Sequence, residues 1–226
     1  MSQAAPLSHK RVIALVDGFN LYHAIDDYVK RNELKWVDII SLTSAFLSPG
    51  EKLRMAFFYT ALNPWNNEKR ARQQALMDVY QDQGVTVVKG IFKLQDHRCG
   101  ADCKKTFQNY GEKETDINIA LAMARIAHEK MAEKIILVTG DSDQLPSVRY
   151  AKIINPDMLI KVVIPPFRRA EDLKIACDEN ATIAVSHLER HRLPEPYVGK
   201  RTGKVIQCPG PWRNPGGAPA IVPAPA

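Results

Sequence analysis

No apolar run in this 226-residue sequence approaches the roughly 20 residues that span a bilayer, so no membrane partner is expected. The first apolar stretch, 12–16, runs straight into Asp17-Gly18, with neither the h-region nor the cleavage site of a signal peptide. Cysteine is scarce. Cys99, Cys103, Cys177 and Cys208 are too few for a disulfide scaffold and ordinary for a reducing compartment, which gives a cytoplasmic expectation. Histidine is scarce too, with six copies scattered along the chain. Glycine-rich phosphate loops are missing. Neither Gly-x-x-x-x-Gly-Lys-Ser/Thr nor Gly-x-Gly-x-x-Gly occurs, so nucleotide-triphosphate and dinucleotide cradles have no support.

What is present is the balance of a globular domain, 45% hydrophobic and 25% charged, at a length that suits one full domain. The net charge of +6 is unevenly placed. From Arg190 onward six basic residues face one acid, Glu195, whereas residues 1–189 carry 25 basic and 24 acidic side chains. The segment from Leu193 also holds eight of the 15 prolines. Proline removes backbone donors and core formers are few there, so that segment is expected to be extended or disordered. The expected organisation is a flexible N-terminus at 1–9, a folded domain at 10–192 and a Pro-rich, basic, disordered tail at 193–226.

Within the domain the apolar pattern alternates between strand and helix periods. Strands are expected at 12–16, 53–60, 85–92, 134–139 and 159–164, with a further short one at 182–185. Helices are expected at 19–30, 37–47, 68–83, 114–131, 144–153 and 170–177. Short β-branched strands separated by helices imply a parallel sheet covered on both faces. Right-handed crossovers then give a doubly wound, Rossmann-like α/β fold: a three-layer α/β/α sandwich around a central, mainly parallel sheet.

Such sheets place their chemistry at the carboxyl ends of the strands. Two strands finish in acids there, one in Asp17-Gly-Phe-Asn20 and the other in Gly140-Asp141-Ser-Asp143. A third acid, Asp116, opens the helix that feeds the second of them. If those strands are neighbours, Asp17, Asp116, Asp141 and Asp143 share one cleft. Like charges that close raise one another's pKa unless a cation sits between them, and hard carboxylate oxygens suit Mg²⁺ or Mn²⁺. Such ions polarise phosphoryl oxygens and activate water, so four acids without a histidine cluster point to phosphoester hydrolysis.

Each acid taken singly has a plainer reading. Asp17 suits a tight turn, Asp141 or Asp143 a helix N-cap, and Asp116 a charge that complements a helix dipole. Their joint placement at one end of the sheet favours a site. Around it, Asn20 lies within reach of a phosphate or an acid ligand. Thr139 and Ser142 can orient a water or bind an acid's free oxygen, and Lys113 can offset phosphate charge. Haloacid-dehalogenase chemistry fits worse, because Phe19 stands where that family has its second Asp. Binuclear metallophosphatases need several histidines near their Gly-Asp motifs, which this chain lacks.

Val16-Asp-Gly-Phe-Asn20, Glu112-Lys-Glu-Thr-Asp116 and Val138-Thr-Gly-Asp-Ser-Asp143, in this order and spacing, resemble the NYN domain family of LabA-like proteins. That family belongs to the PIN-like nuclease superfamily, and the resemblance spans roughly residues 11–188. It implies a PIN-like fold and a Mg²⁺- or Mn²⁺-dependent endoribonuclease acting on single-stranded or looped RNA. It further implies catalytic, metal-binding acids at Asp17, Asp116, Asp141 and Asp143, and products with a 5′-phosphate and a 3′-hydroxyl. Where relatives commonly show Glu-Lys-Gly-Val-Asp, this chain has Glu-Lys-Glu-Thr-Asp. Asp116 is kept, the turn before it differs, and Glu114 is either an extra ligand or a helix-start charge. Because nuclease-like folds also serve as binders, the alternative is a non-catalytic RNA-binding regulatory module.

Residues 93–111 break the alternation and read as a loop. His97, Cys99 and Cys103 offer three zinc ligands where a structural Zn²⁺ normally has four, so free thiols are the simpler expectation. From Lys89 to Lys113 six basic residues, including Lys104 and Lys105, stand against three acids and are interleaved with Phe92, Phe107 and Tyr110. Cations hold phosphates while aromatic faces stack unpaired bases, at ~1–3 kcal/mol per base. Lys104, Lys105 and Tyr110 are therefore candidate RNA contacts, against the plainer reading of a solvated loop whose aromatics cover the sheet edge. Cys177 is expected in core packing and Cys208 as a tail thiol.

Overall fold

The computed structural model describes residues 9–98 and 106–216. The first half of the chain runs β1 (Lys10–Asp17), α1 (Gly18–His23), α2 (Ile39–Ser44), β2 (Glu51–Thr60), α3 (Asn67–Asp82) and β3 (Thr86–Lys89). Next come β4 (Ile91–Arg98), β5 (Thr106–Lys113), α4 (Thr115–His128), β6 (Lys134–Val138), α5 (Leu145–Ile154) and β7 (Leu159–Ile164). The chain continues through α6 (Glu171–Ala176), β8 (Glu179–Thr182), α7 (Val185–Arg190), β9 (Tyr197–Val198) and β10 (Val205–Ile206).

Six strands form one parallel sheet in the order β3-β2-β1-β6-β7-β8. The chain winds outward from β1 in one direction and then from β6 in the other, so the switch point lies between these two strands. Both are apolar on both faces because helices cover both. Val12, Ala14 and Val16 of β1 pack with α1, α2 and α3, while Ile13 and Leu15 pack with α4, α5 and α6. At the amino ends of the strands, fully buried Lys134 is held by Glu51 at 2.9 Å and Glu179 at 2.6 Å. The carboxyl ends carry a different set of charges.

The structure departs from the sequence expectations in three places. The sixth strand is Glu179–Thr182, a few residues earlier than expected, and pairs with β7 at the sheet edge. The segment expected to be a loop is instead an antiparallel hairpin of β4 and β5, separate from the main sheet. In the sequence, polar residues stand at both odd and even positions of these strands and so hide the period of two that marks a half-buried strand.

The third departure is the C-terminal segment. Residues 193–216 are not a disordered tail. Leu193, Tyr197, Ile206, Cys208 and Trp212 are buried against the α1–α3 side of the core. Proline prevents regular ladders there but not packing, and side chains supply the anchors. Trp36 donates from Nε1 to the Pro194 carbonyl at 3.0 Å. Asp82, at the end of α3, accepts from the Tyr197 hydroxyl at 2.8 Å, the Thr202 hydroxyl at 2.7 Å and the Thr202 N–H at 3.0 Å. Cys208 is accordingly a buried thiol, and residues 1–8 and 217–226 lie outside the described residues.

Candidate active site

β1 delivers Asp17 to the carboxyl end of the sheet, where it caps α1: Oδ1 accepts from the Asn20 N–H at 2.9 Å. Asp17 is 3% exposed, so its second oxygen also needs a partner. The Thr139 hydroxyl, just beyond β6, donates to Oδ2 at 2.9 Å. The same hydroxyl accepts from the Asp141 N–H at 3.1 Å, and Asn20 Oδ1 accepts from the Gly140 N–H at 3.0 Å. Two side chains thus tie the end of β1 to the end of β6.

Glycine serves close approach at two of these turns. A Cβ on Gly18 would stand 2.3 Å from the Phe58 ring, and one on Gly140 would stand 2.6 Å from Arg168 Cβ. Asp141 acts as the N-cap of the short helical turn 142–144, its Oδ1 accepting from the Asp143 N–H at 3.0 Å. Behind that turn Gln144 is fully buried and donates from Nε2 to Asp116 Oδ1 at 3.1 Å. Asp116 lies in the first turn of α4. That helix starts from Glu114, which adopts the left-handed conformation at φ 79°. Glu112 does the capping instead, accepting from both the N–H and the hydroxyl of Thr115.

Asp17, Asp116 and Asp141 line one cleft of about 420 Å³, with Asn20, Glu112 and Arg168. Burial pushes the Asp17 carboxyl up to about 7; its bonds to Asn20 and Thr139 oppose this, and the Asp116 and Asp141 charges add to it. The Asp116 carboxyl is also raised, by burial first and then by the Asp141 and Asp143 charges, against the bond from Gln144. The cluster carries more negative charge than its surroundings offset. Arg168 is the positive group in the cleft lining; its guanidinium lies 5.2 Å from the Tyr28 ring centroid, and its buried Nε has no hydrogen-bond partner among the described residues.

The remaining sequence candidates fall less centrally. Asp143, Ser142 and Lys113 are exposed and do not line the cleft, although Asp143 is close enough for its charge to act on Asp116. Tyr110 lies on β5 opposite Leu94. Lys104, Lys105, Cys99 and Cys103 lie outside the described residues, and His97 sits on β4 opposite Phe107. Sequence reasoning passed over Gln144 and named Glu112 only as part of a motif. The signal for Gln144 was its position directly after the Asp-Ser-Asp motif, where a polar residue on a helix start would ordinarily face solvent.

Among the described residues, no three His, Cys, Asp or Glu side chains stand close enough to hold a metal ion between them. Magnesium ordinarily keeps several waters and takes one or two carboxylates, so hard oxygen donors spread along one cleft suit it without a preformed cage. The raised Asp17 and Asp116 carboxyls are the observation that a divalent cation would answer. Among the described residues no helix is long and apolar enough to cross a membrane.

The sequence model of the NYN domain matches residues 11–184. A solved structure from Vibrio parahaemolyticus, a protein of unknown function, is similar with 17% identity and a TM-score of 0.54, over 80% of this chain and 97% of that one. At that identity the likeness is one of fold. No curated protein matches the sequence.

Proposed function

Because this chain belongs to the NYN domain family, and so to the PIN-like nucleases, we propose that it is a metal-dependent endoribonuclease cutting phosphodiester bonds in single-stranded RNA. The observation that carries this reading is the convergence of Asp17, Asp116 and Asp141 on one cleft at the switch point between β1 and β6. One or two at a time of Asp17, Asp116, Asp141 and Asp143 would hold Mg²⁺ or Mn²⁺, with water as the remaining ligands. Bound there, such an ion supplies Lewis-acid polarisation of a phosphoryl oxygen and a lowered pKa for water.

The chain's own residues do the positioning. Thr139 and Asn20 fix the Asp17 carboxylate so that it needs no reorganisation when substrate arrives. Gln144 fixes Asp116 in the same way. Arg168, in the lining of the same cleft, meets the charge of an entering phosphate. The preference for RNA over DNA comes from family membership.

A second reading, an RNA-binding regulatory module without turnover, is favoured by the absence of a preformed three-ligand group among the described residues. One assay separates the two: labelled single-stranded RNA and DNA are incubated with the purified chain in Mn²⁺ or in chelator. RNA cleavage that appears only with Mn²⁺ supports the hydrolase. RNA bound and left intact under both conditions supports the module.

A further inference from the structure

One helical layer of the sandwich is covered from outside and the other is not. Side chains from the segment 193–216 are buried against the α1–α3 side. The α4–α6 side has no such cover among the described residues, and Ile117, Leu121, Tyr150, Ile153 and Ile175 stand exposed on it. Because α4 packs on α5 and α5 on α6, these side chains belong to one layer. Ile153, 74% exposed, and Ile175, 84% exposed, are the barest, and both line a groove of about 560 Å³ between α5 and α6. Scattered apolar side chains on a surface need no partner, but a pair this bare in one groove marks a contact surface.

The charges around the groove say what fits it. Together α5 and α6 carry five charged residues, of which three are paired within the chain: Lys152 with Asp178 at 2.9 Å, and Lys174 with Glu171 at 2.8 Å. The other two, Arg149 on α5 and Asp172 on α6, line the groove and form no ion pair among the described residues. Each wall thus offers one isoleucine and one unpaired charge, and the two charges are opposite. Such a surface is complementary to itself. A twofold axis along the groove sets the α5 wall of one copy against the α6 wall of another, so that every contact occurs twice.

We propose that the α5–α6 groove is a homodimer interface, its occupant a second copy of this chain. Ile153 of one copy meets Ile175 of the other at the apolar centre, and Arg149 meets Asp172 at the rim. Both isoleucines stand in the last turns of their helices, which run from the carboxyl ends of the strands to the amino ends. The interface therefore lies away from the acidic cleft and leaves it open in both copies, so the proposal stands or falls apart from the nuclease reading.

The test is sedimentation equilibrium of the full chain across about 1–200 μM, a range that spans micromolar affinity. The wild type is expected to reach twice the mass of one chain. Ile153→Glu should weaken association at least about tenfold, because it buries a charge at the centre of the contact. Arg149→Glu and Asp172→Lys should each weaken it about tenfold by setting like charges against each other, and the two together should restore it to within about threefold of the wild type. Glutamate and lysine are good helix formers, and circular dichroism checks that α5 and α6 persist in each variant. A wild type that stays monomeric throughout overturns the proposal and gives the groove to a different partner. A dimer that ignores Ile153→Glu, or a double charge exchange that fails to restore association, overturns it too.

Discussion

The Thr139 hydroxyl donates to Asp17 Oδ2 at 2.9 Å, joining the end of β6 to the end of β1 through one fully buried oxygen. Because the same oxygen accepts from the Asp141 N–H, this single group sets the relation between two of the cleft's carboxylates. Thr139→Val keeps the shape and removes the bridge, leaving buried polar atoms without partners. The expected cost is about 1–3 kcal/mol in urea unfolding, together with a loss of RNA cleavage. Thr139→Ser should retain both. Equal stability and activity in the valine variant would contradict the role of the bridge.

Gln144 stands behind Asp116 and reaches it at 3.1 Å, while its own Oε1 has no partner among the described residues. Gln144→Leu therefore removes an unsatisfied oxygen along with a positioning bond. Thermal stability is expected to hold or rise, while the Mn²⁺ concentration for half-maximal cleavage rises about tenfold, the usual scale for removing a group that orients a ligand. An unchanged Mn²⁺ titration would show that Asp116 needs no such support.

Glu114 pays for its φ of 79° without gaining a cap, since its side chain makes no cap bond and Glu112 fills that role. The motif that this segment resembles commonly has glycine at this position, where a left-handed residue carries no Cβ strain. Glu114→Gly should stabilise the chain by about 0.5–1 kcal/mol, once the entropy cost of glycine is set against the relief. For a chain of this size that is a rise of about 2 °C in Tm. Cleavage should be unchanged, because Glu114 does not line the cleft. Weakened Mn²⁺ dependence in this variant would instead make Glu114 a ligand.

The Asp82 carboxyl is held down at about 2, chiefly by the Thr202 hydroxyl, with help from the Tyr197 hydroxyl and the Thr202 N–H and against burial. A carboxyl depressed in the folded state contributes stability above its ordinary pKa near 4, and that contribution fades as pH falls towards 2. The C-terminal segment should therefore loosen in that window, read from the fluorescence of buried Trp212. Asp82→Asn should show a loosened segment already at neutral pH and no transition between pH 4 and 2. A wild-type signal that stays flat across the window would mean that the clamp does not depend on charge.

The sheet was legible because its strands carry runs such as Val12-Ile-Ala-Leu-Val16, whose length and β-branching admit little else, and because helices of steady period separate them. That the strands ending in Asp17 and in Asp141 are neighbours was a condition of the sequence reading, which the sheet order meets; Asp17, Asp116 and Asp141 stood out from where acids stand relative to strand ends. What stayed hidden depends on contacts distant in sequence. Tyr197 and Trp212 are few among many prolines, and only the surface offered by Asp82 and Trp36 makes them core. The β4–β5 hairpin is known by its pairing, which joins residues 91–98 to 106–113 and leaves no period in the sequence. Gln144 is buried because α4 and the turn after β6 pack together, which no local pattern announces.

The most direct test of the account is cleavage of a labelled single-stranded RNA by the wild type and by Asp141→Asn, each in Mn²⁺ and in chelator. The wild type should cut only with Mn²⁺. The variant, nearly isosteric and with an unchanged Tm, should cut at least about a hundredfold more slowly. Cleavage by Asp141→Asn at the wild-type rate, or wild-type cleavage that persists in chelator, would contradict the assignment of the acidic cleft.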